Sequence, residues 1–298
     1  MGADQRVPSV TEAYAQAKAF TKARSSSFYY PFVVLPRHKR DAVYAAYSFA
    51  GTVDDAVDDT GSVEDRSARL SEAHDLLEKA YAGAGDDWIS IGLGDAVKRF
   101  EIPREHFEEL VAGMEQDLTQ TRYATWDDLQ QYCYRAASVI GLITVEIFGY
   151  DRSQRDLVVR AATDMGQALQ VTNIMRDVKE DAERDRIYLA KEDLAAFDVS
   201  EEAIKASELS ENFRALMQEY ANRTRILYAS GERLIPLLDG PRSRACCNGL
   251  NGGYRTILDA IENREYDVFS SRVRPSKTNA LMTLGRLWVA GARPHRRR

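Results

Sequence analysis

Along most of the chain apolar residues return every three or four positions, the spacing of a helix face and not the alternation of a strand. The stretch Pro36–Asp59 opens on a proline, tolerated in a first helical turn, and sets Val43, Tyr44, Tyr47 and Ala50 on one side. "IPREHFEELVAGMEQDL" likewise begins at Pro103 and places Phe107, Leu110, Val111 and Met114 at three- and four-residue steps. "TWDDLQQYCYRAASVIGLITVEIFGY" offers Thr125 as a cap with Asp128 three residues on. Its later half, Ala136 to Phe148, is apolar nearly all round, as a buried central helix is. Further helices are predicted at roughly 9–24, 64–82, 152–184, 208–237, 242–262 and 276–290. The one strand-like run, "YYPFVVLP", is short and broken by Pro31. There is no repeat and no low-complexity linker, and breaks such as "GAGDD" and "LDGPRSR" read as loops. The pattern predicts an all-α chain, one domain over residues 1–298, helical from roughly 9 to 290.

Composition narrows the partners. At 298 residues, 44% hydrophobic and 29% charged, the chain can bury a substantial core. A net charge of -6 argues against a general nucleic-acid binder, which would be basic. Cys133, Cys246 and Cys247 show no zinc-site spacing and suit reduced thiols in a cytoplasm. No signal peptide and no run of about 20 apolar residues is visible, so a soluble cytoplasmic protein is expected. The segment "LGRLWVAGARPHRRR" mixes Leu284, Leu287, Trp288 and Val289 with arginines. It reads either as a peripheral contact to an anionic membrane surface or as an amphipathic terminal helix with a basic tail.

The aspartates change the picture most. "TVDDAVDDTG" crowds four of them into six positions, and "NIMRDVKEDAERDRIYL" carries a second acidic run. Asp54 and Asp58 are one helical turn apart, as are Asp55 and Asp59, and Asp177 and Asp181 repeat that spacing. Neighbouring positions diverge by about 100° around the axis, so only one of the first two pairs can face a given cavity. Val53, Ala56 and Val57 surround the first run, and Val171, Ile174 and Met175 lead into the second, so buried carboxylates are expected. Neither run has the glycine and glutamate positions of an EF-hand. Carboxylates facing one another are unfavourable when empty but suit magnesium, which takes one or two of them and bridges to substrate phosphates. Diphosphate is therefore the expected leaving group, and a carbocation the expected intermediate.

The chain resembles the squalene/phytoene synthase family of head-to-head prenyl-diphosphate condensing enzymes. The likeness is carried by "SSSFYYPFVVLP", "YAAYSFAGTVDDAVDD", "GMEQDLTQTRYATWDDLQQYCYRAASVIGL", "QALQVTNIMRDVKEDAERDRIYLAKEDL" and "YRTILDAIENREYDVFSSRV". It implies an isoprenoid-synthase helical bundle around a central cavity, with two allylic diphosphates held by magnesium, manganese being the alternative. On the family's pattern the metal-holding residues are Asp54, Asp58, Asn173, Asp177 and Asp181. Gln170, Asn173 and Arg176 match positions that hold diphosphate, and Arg176 suits that chemistry because a guanidinium forks to phosphate oxygens. Arg24, Ser25, Ser26, Ser27 and Phe28 match a segment contacting diphosphate. Tyr47 matches a substrate-contacting tyrosine, and Tyr132 one that steers the cation or shuttles a proton. Tyr254 and Arg272 match a tyrosine and an arginine at the diphosphate end. Two departures stand out: Gly51 occupies a place where many members carry arginine, and Ser138 one where members often have glycine.

The chemistry so implied has two stages. A donor prenyl diphosphate ionises, the acceptor's double bond attacks the allylic cation, and proton loss closes a cyclopropylcarbinyl diphosphate. A second ionisation opens the ring to a linear product, finished by proton loss, water or hydride. Apolar helices exclude bulk water, and the rings of Phe28, Tyr47 and Tyr132 stabilise positive charge. Farnesyl diphosphate, giving presqualene diphosphate or squalene, is the preferred substrate, and geranylgeranyl diphosphate, giving phytoene, is next. No glycine-rich dinucleotide fingerprint follows a strand, but a reductive member would bind NADPH within the same helical fold. Two rivals remain: transfer of one prenyl group to a non-prenyl acceptor, which Gly51 favours, and a catalytically silent binding or assembly protein on this fold.

Overall fold

Thr125 shows how local chemistry starts a helix here. Its hydroxyl accepts from the Asp128 amide at 3.1 Å, and the Asp128 carboxylate accepts from the Thr125 amide at 3.0 Å, the reciprocal cap the sequence predicts. The computed structural model describes residues 6–24, 26–58 and 62–274, and the helix expected at 276–290 lies outside them. The residues fall into two units.

The first unit holds residues up to Leu118 together with Leu142–Gly149. Its helices are α1 (Val10–Arg24), α2 (Ser26–Phe32), α3 (Arg37–Asp58), α4 (Val63–Ala82), α5 (Trp88–Phe100) and α6 (Arg104–Asp117). Helices α1, α4 and α5 pack on α3, whose Val43, Tyr44, Phe49 and Val53 are buried. The strand-like "YYPFVVLP" is thus helical as far as Phe32, and α5 was not expected. In α5 Ile89, Leu93, Ala96, Val97 and Phe100 recur at helical spacing behind a cap, Asp87 accepting from the amides of Ile89 and Ser90, so its signal was present in the sequence.

The second unit holds Thr119–Gly141 and everything from Tyr150 on. It contains α7 (Trp126–Cys133), a π-helical turn (Tyr134–Ser138), the start of α8 (Val139–Phe148), α9 (Arg155–Arg176), α10 (Val178–Glu183), α11 (Lys191–Ala196), α12 (Glu201–Lys205), α13 (Glu211–Gly231) and α14 (Gly240–Asn263). Helix α9 lies at the centre, packed on α13, α14 and the π turn. The approach is close because Gly166 meets the backbone of Ser138, whose hydroxyl donates to the Thr163 carbonyl at 2.7 Å. The helix expected over 125–150 is interrupted by a π turn at Tyr134–Ser138, a device seen mostly at functional sites. The helix expected over 152–184 breaks at Asp177, which leaves helical geometry at φ -102° and ψ 14°. Its amide still donates to the Asn173 carbonyl, and its carbonyl accepts from the Asp181 amide, each at 2.9 Å. The described residues contain no strand, only the isolated bridges Arg122–Ile187 and Tyr150–Leu238.

Candidate active site

The first acidic run falls in the last turns of α3, while in the second Asp177 ends α9 and Glu180 and Asp181 lie in the first turn of α10. Each is compensated by arginine. In the first unit, Arg24 at the end of α1 donates to Asp54 through Nη2 and to Asp55 through Nη1. Asp54 is not buried as expected: its side chain is 51% exposed. Tyr47 is half-buried, two turns before, its ring edge-on to Phe32 at 6.4 Å. Ser25, and the side chains of Ser26, Ser27, Phe28 and Asp58, lie outside the described residues.

The second cluster is the better enclosed. Asp177 is only 17% exposed, and Arg176 grips both of its oxygens, Nε to Oδ1 at 2.8 Å and Nη2 to Oδ2. Arg272 reaches the same Oδ1 at 2.9 Å through Nη2, from the segment that follows α14. That segment is anchored nearby, since Lys179 donates to the Phe269 carbonyl at 3.1 Å and Asp267 caps the amides of Phe269 and Ser270. One turn back on α9, Asn173 and Gln170 pair at 3.4 Å, and Tyr254 from α14 shares a hydrogen bond with Asn173. Burial raises the Tyr254 hydroxyl pKa, while Asn173 and Arg176 beside it pull the other way. Gln170, Asn173, Arg176, Asp177, Tyr254 and Arg272, scattered over more than a hundred positions, thus meet in one place.

Asp181 turns into a small recess with Ile174, Val178, Ile187, Tyr188 and Arg186. Burial among these apolar groups, with the Asp177 charge added, pushes its carboxyl up to about 7. Tyr188 links this recess to Tyr132: their rings stack at 5.0 Å, and Tyr123 closes the group at 5.2 Å from Tyr132. Tyr123 and Tyr188 were not singled out from the sequence. The available signal was Tyr188 standing seven residues after Asp181 in the same motif. Asp185, beside the motif, turns away to Arg122 and Lys205.

The donor set suits a hard divalent cation. Asn173 Oδ1 and Glu180 Oε2 are buried without hydrogen-bond partners, an arrangement proteins avoid unless something else supplies one. Asn173, Asp177 and Asp181 offer oxygen only. Among the described residues no three acidic, histidine or cysteine side chains form a ready-made cage. That fits an ion held by one or two carboxylates and completed by water and phosphate better than it fits an all-protein site. No described helix is long and apolar enough to cross a membrane.

Comparison with known proteins agrees with this chemistry. The family described as squalene/phytoene synthase matches residues 21–279. A 15-cis-phytoene synthase of Synechococcus elongatus is 34% identical over 273 residues, covering 89% of this chain and 88% of the relative. A phytoene synthase of Arthrospira platensis is 32% identical, covering 92% of each. Among solved structures, a dehydrosqualene synthase bound to a ligand aligns with a TM-score of 0.86 at 27% identity, covering 94% of this chain and 96% of that one. The squalene synthase HpnC from Alicyclobacillus acidocaldarius aligns at 0.80 and 28%, covering 87% and 96%. With its helical fold and nearly all its length accounted for in this way, the chain belongs to the squalene/phytoene synthase family of prenyltransferase-type enzymes.

Proposed function

We propose that the enzyme condenses two geranylgeranyl diphosphates head to head, through a cyclopropylcarbinyl diphosphate, to a forty-carbon phytoene-type hydrocarbon. The observation that carries the choice of substrate is the run of phytoene synthases, 30–34% identical, that match nearly the whole chain. This reverses the order in which the sequence alone ranks farnesyl and geranylgeranyl diphosphate. The farnesyl reading stays as the second, supported by the structural likeness to dehydrosqualene and squalene synthases.

Members of the family bind diphosphate through a divalent metal. In this chain Asn173, Asp177 and Asp181 would hold one, with Asp54 and Asp58 serving the other acidic motif, and magnesium is the ion that best fits an oxygen-only set. When bound, such an ion supplies Lewis-acid stabilisation of the departing diphosphate. The protein's own contribution is electrostatic and steric. Arg176 and Arg272, which neutralise Asp177 in the free chain, are placed to fork onto phosphate oxygens when a metal takes the carboxylate. Gln170 and Tyr254 hold Asn173, and so orient it. Tyr132 belongs to the tyrosine group beside the Asp181 recess, and its ring quadrupole would favour an allylic cation held there. Proton loss ends the phytoene route, so no reductant is consumed, whereas squalene requires hydride from a cofactor such as NADPH.

Mass spectrometry of products from each diphosphate, with magnesium and with or without NADPH, tests the reading. A forty-carbon hydrocarbon from geranylgeranyl diphosphate alone, indifferent to NADPH, is expected. A thirty-carbon product only, or a prenyl group found on a non-prenyl acceptor, would refute it.

A further inference from the structure

The absence of a side chain at position 51 has a physical consequence in the first unit. A Cβ there would stand 2.7 and 3.0 Å from two ring carbons of Phe20 and 3.2 Å from Cδ of Arg24. The first distance is one that real carbon atoms do not adopt. The Phe20 ring is also engaged by Trp88, tilted against it at 5.9 Å between ring centroids. Nor is α1 loosely placed: one turn earlier the Ala17 carbonyl accepts from the buried hydroxyls of Thr21 and Ser48. The bare backbone at Gly51 is thus a notch in α3 that receives the Phe20 ring and the stem of Arg24. The guanidinium then arrives one turn further along, where one fork spans two neighbouring carboxylates, Asp54 and Asp55, that diverge around the helix.

We propose that Gly51 is a positioning residue: its notch lets Arg24 of α1 lie across Asp54 and Asp55, so that this cation serves the diphosphate held at the first acidic motif. The inference rests on the function proposed above and adds which residue sets the reach of that arginine. A cation brought from α1 shields the two carboxylates in the free chain. It has a phosphate to turn to once a metal occupies Asp54. A Cβ at 51 presses on the stem of Arg24 at 3.2 Å.

Calorimetric titration of the full chain with inorganic pyrophosphate in the presence of magnesium reads this without requiring turnover. Gly51→Ala should weaken binding about tenfold or more, the loss of one charge-assisted contact. Arg24→Gln should weaken it equally, and the two changes together no further than either alone. Adding Phe20→Leu to Gly51→Ala removes the overlapping ring carbons and should recover most of the affinity. It also covers the case in which the single Gly51→Ala chain folds poorly. Wild-type affinity in Gly51→Ala, or losses that multiply in the Gly51→Ala, Arg24→Gln pair, would overturn the proposal while leaving the family's chemistry standing. A wild-type chain that takes up no magnesium pyrophosphate would instead take down the proposed function, and this inference with it.

Discussion

Replacing Gly166 by alanine probes the closest packing in the second unit. An added Cβ would lie 2.4 Å from the Cα of Ser138, 2.8 Å from its nitrogen and 2.9 Å from its hydroxyl oxygen. Carbon contacts settle at about 3.5–4.0 Å, so α9 and the π turn must part by roughly 1 Å. Two of the three opposing atoms are backbone and cannot swing aside. Overpacking of this kind costs about 1–3 kcal/mol, and the rigid partner puts it at the upper end. Separation also stretches the Ser138–Thr163 hydrogen bond, worth about 1 kcal/mol. Against this, alanine gains about 0.5–1 kcal/mol over glycine inside a helix. The balance is a loss of about 2–3 kcal/mol, or a fall in Tm of roughly 3–5 °C for a chain of this length. The control is Gly253→Ala in α14, where nothing lies within 4 Å of the new atom, and there Tm should rise slightly. Thermal unfolding followed by circular dichroism decides. A Gly166→Ala chain as stable as wild type would refute the close approach. Since α9 carries Gln170, Asn173 and Arg176 onward from this contact, turnover should fall beyond what the folded fraction explains.

Asp177→Asn removes the charge that Arg176 and Arg272 share. It should cut turnover at least about a hundredfold with helix content unchanged, and a variant within twofold of wild type would remove Asp177 from the mechanism. Asp181 holds its proton up to about 7 in the folded chain against the ordinary carboxylate value of about 4 when unfolded. The metal-free chain should accordingly lose stability as pH rises between those values, by at most about 4 kcal/mol, and Asp181→Asn should flatten that slope in urea titrations at pH 5 and pH 8. Cys133, Cys246 and Cys247 are buried, with burial raising each thiol, Cys247 to about 12. A colorimetric thiol reagent should find none of them in the native chain within minutes and all three after denaturation.

How much of this was legible follows the range of the interactions. Helical period and caps are local, so α3, α6, α7 and the Thr125 box could be read directly, and α5, with as plain a period and the Asp87 cap, was equally legible though it was not expected. The second acidic motif was legible as a set because Gln170, Asn173, Arg176, Asp177 and Asp181 share a repeat along one segment. Tyr254 and Arg272 needed the family's pattern, since only tertiary packing brings them to Asp177. The apolar period runs on through the break at Asp177 and the π turn at Tyr134–Ser138, so a continuous pattern hid both. Asp54 is half exposed, against expectation, because apolar neighbours in sequence do not say which face of a helix tertiary packing covers. The reach of Arg24 to Asp54 and Asp55 had no local signature except the bare backbone at Gly51.

The central claim is that the acidic motifs and their arginines ionise allylic diphosphates by way of a divalent cation. Pyrophosphate release from geranylgeranyl diphosphate, followed while magnesium is titrated into wild type, Asp54→Ala and Asp177→Ala, tests it most directly. The account predicts saturable, magnesium-dependent release of two pyrophosphates per condensed product in wild type. It predicts none above background in either variant, both retaining their helical circular dichroism. Release that persists without divalent metal, or in a folded chain lacking Asp54 or Asp177, would contradict it.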